Sequence, residues 1–327
     1  MLYQMRFKPL APFTTQIESY TLFGAFCWGY SLLKGEKALQ DLLEAFKACE
    51  PPFLISSPVL EKNDILFYPM PQMQDNFQDP LTEDPTKLKE FYSLQKEVKK
   101  LKYLPEEIFM KFLEGKLCFK RQLLEEDTVG KAINEFLKEV KSVSISLEVS
   151  PHNFINRISW STSSGGRLYN LAQFWYPTFS VFLKIYNRDL LDVELFKGIF
   201  ELISLGGKKS WGFGRVKVLE IKEAPSYIKK HFEGNFESHK IVTLSPTSMD
   251  KSFNLDGSFY ELKILLGRVE NYFGRLTKPI LKRRIAVFMP GSLLVLKEGK
   301  KKFYGGLKPG VEKIFYYAYA FPLYIKT

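Results

Sequence analysis

The apolar positions change period several times along the chain, and each change predicts an element. Residues 1–8 partly alternate and predict a strand, after which Pro9 and Pro12 require extended or turning backbone. From 19 to 33, Leu22, Phe23, Phe26, Cys27, Tyr30 and Leu33 recur at helical spacing with Ser19 or Thr21 as cap, which predicts the first helix. A second helix over 37–49 ends before Pro51 and Pro52, and 53–59 with 65–68 predict a hairpin. Between 70 and about 141 the pattern changes: Pro69, Pro71, Pro80 and Pro85 break the chain, and the Lys/Glu-rich stretches 86–102 and 105–113 are helical in period. This region reads as a helical insertion. Residues 142–149 alternate and are expected to resume the sheet, and strands over 167–174 and 179–185 follow a polar loop at 161–166.

Residues 190–203 return to helical spacing, with Asp192 available as N-cap and Gly206 placed as terminator. Residues 215–221 then alternate as a strand. Between them lies GGKKSWGFGR: Gly206, Gly207, Lys208, Lys209, Ser210, Trp211, Gly212, Phe213, Gly214 and Arg215. Its glycines let the backbone bend and bare N–H groups approach an anion among cationic heads, chemistry that suits phosphates. Dinucleotide and P-loop sites run from strand through glycine-rich loop into helix, the reverse of the order here, and neither motif can be written through these letters. Nucleotide hydrolysis therefore loses most of its support.

The polar stretch 223–239, with Pro225 and Gly234, reads as a domain boundary between 1–224 and 225–327. Beyond it 240–245, 259–266, 285–289, 292–296 and 314–324 are strand-like, with little helical periodicity. Of the formal net charge of +11, almost all lies here, since 225–327 hold 18 Lys and Arg against 8 Asp and Glu. That concentration points to a polyanion. Lys278, Lys282, Arg283 and Arg284 form a candidate phosphate rail, while Lys300, Lys301 and Lys302 read as a solvated hairpin tip. Thr14, Thr15, Ser19 and Thr21 place small hydroxyls at the strand-to-helix turn, where phosphate oxygens or base edges could bind.

The three cysteines, Cys27, Cys49 and Cys118, offer neither a disulfide framework nor zinc spacing, and no cofactor or metal is expected. No signal peptide opens the chain and no apolar run approaches membrane-helix length, which predicts a cytoplasmic protein without a membrane partner.

The loop resembles the glycine-rich signature of the RAMP superfamily of CRISPR RNA-binding proteins, which joins the last helix of a ferredoxin-like unit to its last strand. PLAPFTTQIESYTLFGAFCWGYSLLKG, FLISSPVL with FYPMP, HNFINRISWSTSSGGRLYN and the C-terminal FYYAYAFPL are similar to further family segments in the family's order. The subgroup most resembled is the fourth subunit of the type III-A Csm effector. The implied fold class is α+β: two ferredoxin-like (RRM-like) units with antiparallel sheets, the first carrying the insertion and the second degenerate.

The resemblance adds Asn156 and Arg157 to the RNA-side residues. It implies a crRNA-binding subunit that holds the repeat-derived 5′ handle, stands at the foot of the backbone filament beside the backbone Csm subunit, and anchors the large polymerase-like Csm subunit. Trp211 and Phe213 are available for base stacking. Related processing endoribonucleases typically carry a histidine in or near the first helix, whereas the histidines here are His152, His231 and His239. With no convincing acid/base pair, the chain is expected to be non-catalytic. Cleavage of precursor RNA is the alternative, followed by a purely protein-binding adaptor and by a Cmr-type counterpart.

Overall fold

The computed structural model describes residues 1–77, 84–153, 155, 158–161, 168–234, 237–267, 281–297, 300–311 and 314–326. The first sheet is assembled from β1 (Leu2–Pro9), β2 (Phe53–Ile55), β3 (Val59–Lys62), β4 (Ile65–Pro69), β5 (Tyr103–Pro105) and two later strands. Helices α1 (Ser19–Lys34) and α2 (Glu36–Lys47) lie between β1 and β2; the hairpin expected from 53–59 and 65–68 forms instead from β3 and β4, while 53–55 is the separate strand β2, which pairs elsewhere in the sheet. Its turn is Asn63-Asp64, both at positive φ, and the Asp64 carboxylate accepts from Arg6 of β1 at 2.7 Å. Asn and Asp tolerate that left-handed region better than other side chains, which places the turn there.

The region 70–141 is largely helical as expected, with α3 (Pro85–Lys99), α4 (Glu106–Leu113), α5 (Glu126–Val129) and α6 (Ile133–Lys141). Its short strand β5 joins the edge of the first sheet beside β4. The alternating run after it departs from expectation. It becomes β6 (Ser146–Asn153), which pairs only with β7 (Leu168–Trp175) among the described residues and leaves the main sheet. Leu147, Val149 and Leu168 stay exposed, so the alternation reflects a two-faced hairpin rather than a core strand.

The chain re-enters the sheet through β8 (Phe179–Ile185), crosses by α7 (Val193–Leu202), and ends the unit with β9 (Val216–Glu223). The strands run β5-β4-β3-β8-β1-β9, with β2 also on β8, and every pairing is antiparallel. β9-β1-β8-β3 with α1 and α7 as crossovers is the ferredoxin-like arrangement. Phe26 of α1 stacks on Phe196 of α7 at 4.3 Å, and Phe7 of β1 contacts Phe200 of α7 at 5.5 Å, so the helices and sheet share one apolar layer.

The polar connector contains a helix, α8 (Ser226–Glu233), which begins after Pro225 and ends at Gly234 with φ +59. Ile228, His231 and Phe232 on its inner face are buried. The C-terminal unit comprises β10 (Lys240–Thr243), β11 (Thr247–Ser248), β12 (Phe253–Phe259), β13 (Leu262–Leu265), β14 (Ile285–Phe288), β15 (Leu293–Leu296), β16 (Gly305–Val311), β17 (Ile314–Tyr319) and β18 (Pro322–Tyr324). They form sheets β12-β15-β10-β18 and β11-β14-β13 and the hairpin β16-β17. The strand expected over 314–324 is thus two strands serving different partners.

One buried cluster runs through both units, from Phe7 and Phe26 to Tyr317, Tyr319 and Phe321. Tyr317 stacks on Phe23 of α1 at 5.0 Å and its hydroxyl accepts from the Ile55 N–H at 3.0 Å. Tyr319 donates its hydroxyl to the Phe46 carbonyl at the end of α2. Among the described residues, no helix is long and apolar enough to cross a membrane.

Candidate nucleic-acid interface

The loop is prepared by α7. Asp192 caps that helix, its Oδ1 accepting from the Leu195 N–H at 2.6 Å. The helix stops at Leu202, before the terminator expected at Gly206, because Ile203 is already extended. The Leu205 N–H donates to the Gly214 carbonyl at 2.8 Å and closes the loop at its base. Gly214 N–H then donates to the Pro12 carbonyl at 2.9 Å, and Leu10 N–H to the Arg215 carbonyl at 2.8 Å. These bonds stitch the loop to the exit of β1.

Within the loop, residues Lys209–Trp211 make one 3-10 turn between Lys208 and Gly212, both in the left-handed region at φ 57 and 90. This winding decides which side chains face solvent. Lys208, Ser210 and Arg215 are exposed and Trp211 is 50% exposed, whereas Phe213 is buried. Phe213 therefore anchors the loop in the core and is not available for stacking as expected. Lys208 Nζ lies 3.9 Å from the Trp211 ring centroid, a cation held on an aromatic face at the loop's rim. Among the described residues neither Lys208 nor Arg215 has an acidic partner.

The strand-to-helix turn meets the same loop. A Cβ built on Gly206 would lie 3.2 Å from Thr15 Oγ1, and one on Gly207 would lie 3.1 Å from Thr14 Oγ1. Thr14 and Thr15 thus place hydroxyls beside bare loop backbone. Ser19 is different, and its reading is corrected. It is fully buried with its N–H on Ser57 Oγ at 3.0 Å, because α1 turns that position into the core. Thr21 is half-buried and accepts from the Glu18 N–H at 3.4 Å in a capping box, so helix capping accounts for it. Burial pushes the neighbouring Glu18 carboxyl up to about 7, against the opposing effect of the Ser57 hydroxyl that donates to it at 2.6 Å.

Two residues that sequence reasoning did not choose complete the site. His152 and Tyr169 are opposite each other in the β6–β7 register and stack at 5.7 Å. Trp211 lies 6.3 Å from His152 and 6.4 Å from Tyr169. Lys208 Nζ is 6.0 Å from the Tyr169 ring. On the same hairpin face Ser150 Oγ bonds His152 Nε2 at 3.1 Å, Gln173 donates to Ser150, and Trp175 Nε1 donates to Glu148 at 2.9 Å. The hairpin is tied down by Phe13, whose N–H and carbonyl pair with Phe174 at 2.9 and 2.7 Å. The signal was present as an alternating aromatic position in each strand, but only their pairing brings them to the loop.

The expected basic rail falls into two parts. Lys278, Asn156 and Arg157 lie outside the described residues. Arg283 and Arg284 are exposed, while Lys282 is partly buried with Nζ 4.8 Å from the Tyr316 ring, and burial pushes its ammonium down. Lys282 is thus less a free rail cation than a packed one. Tyr316 shares an apolar cluster with Tyr20 of α1, which brings Lys282 toward the helix that follows Thr14 and Thr15. The lysine turn is also not a merely solvated tip: Lys301 pairs with Asp250 at 3.3 Å, and Lys302 lies 5.2 Å over Phe303.

Solved structures with this architecture exist. A chain of the crystal structure of the Csm3-Csm4 subcomplex in the type III-A CRISPR-Cas interference complex matches with a TM-score of 0.62 at 19% identity, over 99% of this chain and 99% of that one. Chains of the Csm1-Csm4 cassette match with TM-scores of 0.54 in complex with pppApA and 0.53 in complex with cA4. Both are 18% identical over 99% of this chain and cover 97% and 98% of theirs. The chain shares their fold. No family model matches the sequence, and no curated protein matches it. The mixed α/β fold with antiparallel sheets that the sequence motifs imply is the fold these chains share.

Proposed function

We propose that this chain is a non-catalytic crRNA-binding subunit of a type III-A CRISPR effector complex, holding the 5′ handle where the glycine-rich loop meets the β6–β7 hairpin. The observation that carries the reading is the convergence of Lys208, Trp211, His152 and Tyr169 beside the hydroxyls of Thr14 and Thr15. Bare loop backbone and the cations of Lys208 and Arg215 suit phosphates, and the half-exposed Trp211 ring suits an unstacked base. Such a site favours a single-stranded end over a duplex, whose bases are already stacked. The fold supports a place in an effector, since similar chains crystallise in Csm3-Csm4 and Csm1-Csm4 assemblies. By that likeness the chain would also contact the backbone subunit and anchor the large polymerase-like subunit.

The test is binding and cleavage of end-labelled repeat RNA and mature crRNA by the purified chain across a salt series. Salt-sensitive binding that requires the handle, leaves the RNA intact and weakens in a Lys208→Ala, Arg215→Ala variant is expected. Unchanged affinity in that variant would sink the loop site.

One observation favours a second reading. His152, a side-chain type often used as a general acid or base, stands at the interface. If the chain is instead a precursor-RNA processing endoribonuclease, the same experiment yields a defined product, and His152→Ala abolishes it. The hydrogen-bond partner found for His152 is Ser150 rather than a carboxylate, which supports the binding role.

A further inference from the structure

We infer a second single-stranded RNA contact, at the seam between the first sheet and the C-terminal unit, built by Lys184, Tyr186, Lys302 and Phe303. It lies beyond the loop site in position as well as in residues. Lys184 pairs with Leu2 at the start of β1, whereas the loop is stitched to the far end of that strand at Pro9 and Leu10. Eight residues of β-strand separate the two, or about 23 Å at the usual rise. No single nucleotide reaches both.

The seam interleaves cations and rings. Lys184 Nζ and Lys302 Nζ each lie 5.8 Å from the centroid of Tyr186, and Lys302 is also 5.2 Å from Phe303. The two rings meet edge to face, 5.1 Å apart at 86°. Neither lysine has an acidic partner among the described residues, so two like charges lie near one ring without a counter-ion. A strand passing the ring would supply a phosphate to each ammonium. Beside Tyr186 an open depression of about 510 Å³ is lined by Met1, Ile185, Tyr186, Asn187, Arg188 and Asp189. It adjoins a half-buried ring and adds the exposed guanidinium of Arg188.

An acidic protein segment would use the cations and leave the rings idle. A single strand uses both, phosphates on the ammonium groups and a base against Tyr186 or Phe303, which is why the observations favour RNA. Lys184 lies in β8 and Tyr186 and Arg188 just after it, whereas Lys302 and Phe303 come from the lysine turn of the C-terminal unit. The contact therefore exists only when the two units are docked.

The experiment is photo-crosslinking of the full chain to a single-stranded RNA carrying 4-thiouridine, with crosslinked peptides identified by mass spectrometry. Crosslinks are expected both in the loop and at Tyr186 or Phe303. A Lys184→Gln, Lys302→Gln variant should lose the seam crosslink, keep the loop crosslink and lower the slope of log K against log salt by about 1.4, the value for two phosphates on a single strand. Lys184→Arg with Lys302→Arg should restore both readouts, which separates lost charge from lost folding. A loop crosslink without a seam crosslink overturns this contact and leaves the loop reading intact; a seam crosslink without a loop crosslink does the reverse. If a glutamate-rich peptide binds the seam through the same lysines while RNA does not, the surface belongs to a protein partner and the proposal is overturned.

Discussion

Gly214 passes so close to Leu205 that a Cβ on Gly214 would lie 1.9 Å from the Leu205 carbonyl oxygen, at a backbone φ of +75. The contact is what lets the two ends of the glycine-rich loop pair and still join β1. Gly214→Ala should therefore cost more than the ~1–2 kcal/mol of a left-handed alanine, because rigid backbone must also move. The check is the urea midpoint at unchanged m-value, together with RNA affinity. A variant as stable as the parent would show that the loop base is not closed in this way.

Trp211 is half exposed and rests on Lys208, His152 and Tyr169 rather than in the core. Trp211→Ala should leave the melting temperature nearly unchanged while weakening single-stranded RNA by the ~1–3 kcal/mol typical of one base–aromatic stack. Phe213→Ala should do the opposite, costing ~3–5 kcal/mol of stability as a buried aromatic. Titrations at one salt concentration alongside thermal melts distinguish the two.

Tyr317 and Tyr319 tie the last strands to α1, α2 and β2 through ring contacts and two hydrogen bonds. The two units should then unfold in a single transition. Tyr319→Phe removes the bond to the Phe46 carbonyl and should cost about 1 kcal/mol, since that carbonyl keeps the Cys49 N–H as a donor at 3.3 Å. Circular dichroism and tyrosine fluorescence followed through the same melt would reveal separate transitions if the C-terminal unit were merely tethered.

Glu18 carries a pH signature. Burial raises its carboxyl from 4.5 to about 7, so the native state keeps a proton that the unfolded chain has released across that interval. Its contribution to stability accordingly falls by about 3 kcal/mol as pH rises from about 4.5 to 7 and is level above. Glu18→Gln still accepts from Ser57 and should flatten this slope and raise stability at pH 8. Melting curves from pH 4.5 to 8 decide the sign.

Much of this molecule was determined by local sequence. The period of Leu22, Phe23, Phe26 and Tyr30 made α1, Asp192 capped α7, and the glycines of 206–214 made a loop between a helix and a strand, because propensity and capping act within a few residues. The elements β1, α1, β8, α7 and β9 followed from the same local signals, whereas the strand expected over 53–59 split into β2 and β3. Which face each side chain presents was decided by tertiary structure. The alternation of 146–153 fits a sheet strand and a free hairpin equally, and only pairing with β7 turned His152 and Tyr169 toward Trp211. Ser19 and Phe213 carry no local mark of burial, yet the packing of α1 and the winding of the loop take both inside. Lys302 reads as a solvated turn until the packing of the C-terminal unit brings it to Tyr186, a residue far away in sequence. Contacts between segments so far apart depend on the docked geometry of the whole chain, which no local period encodes.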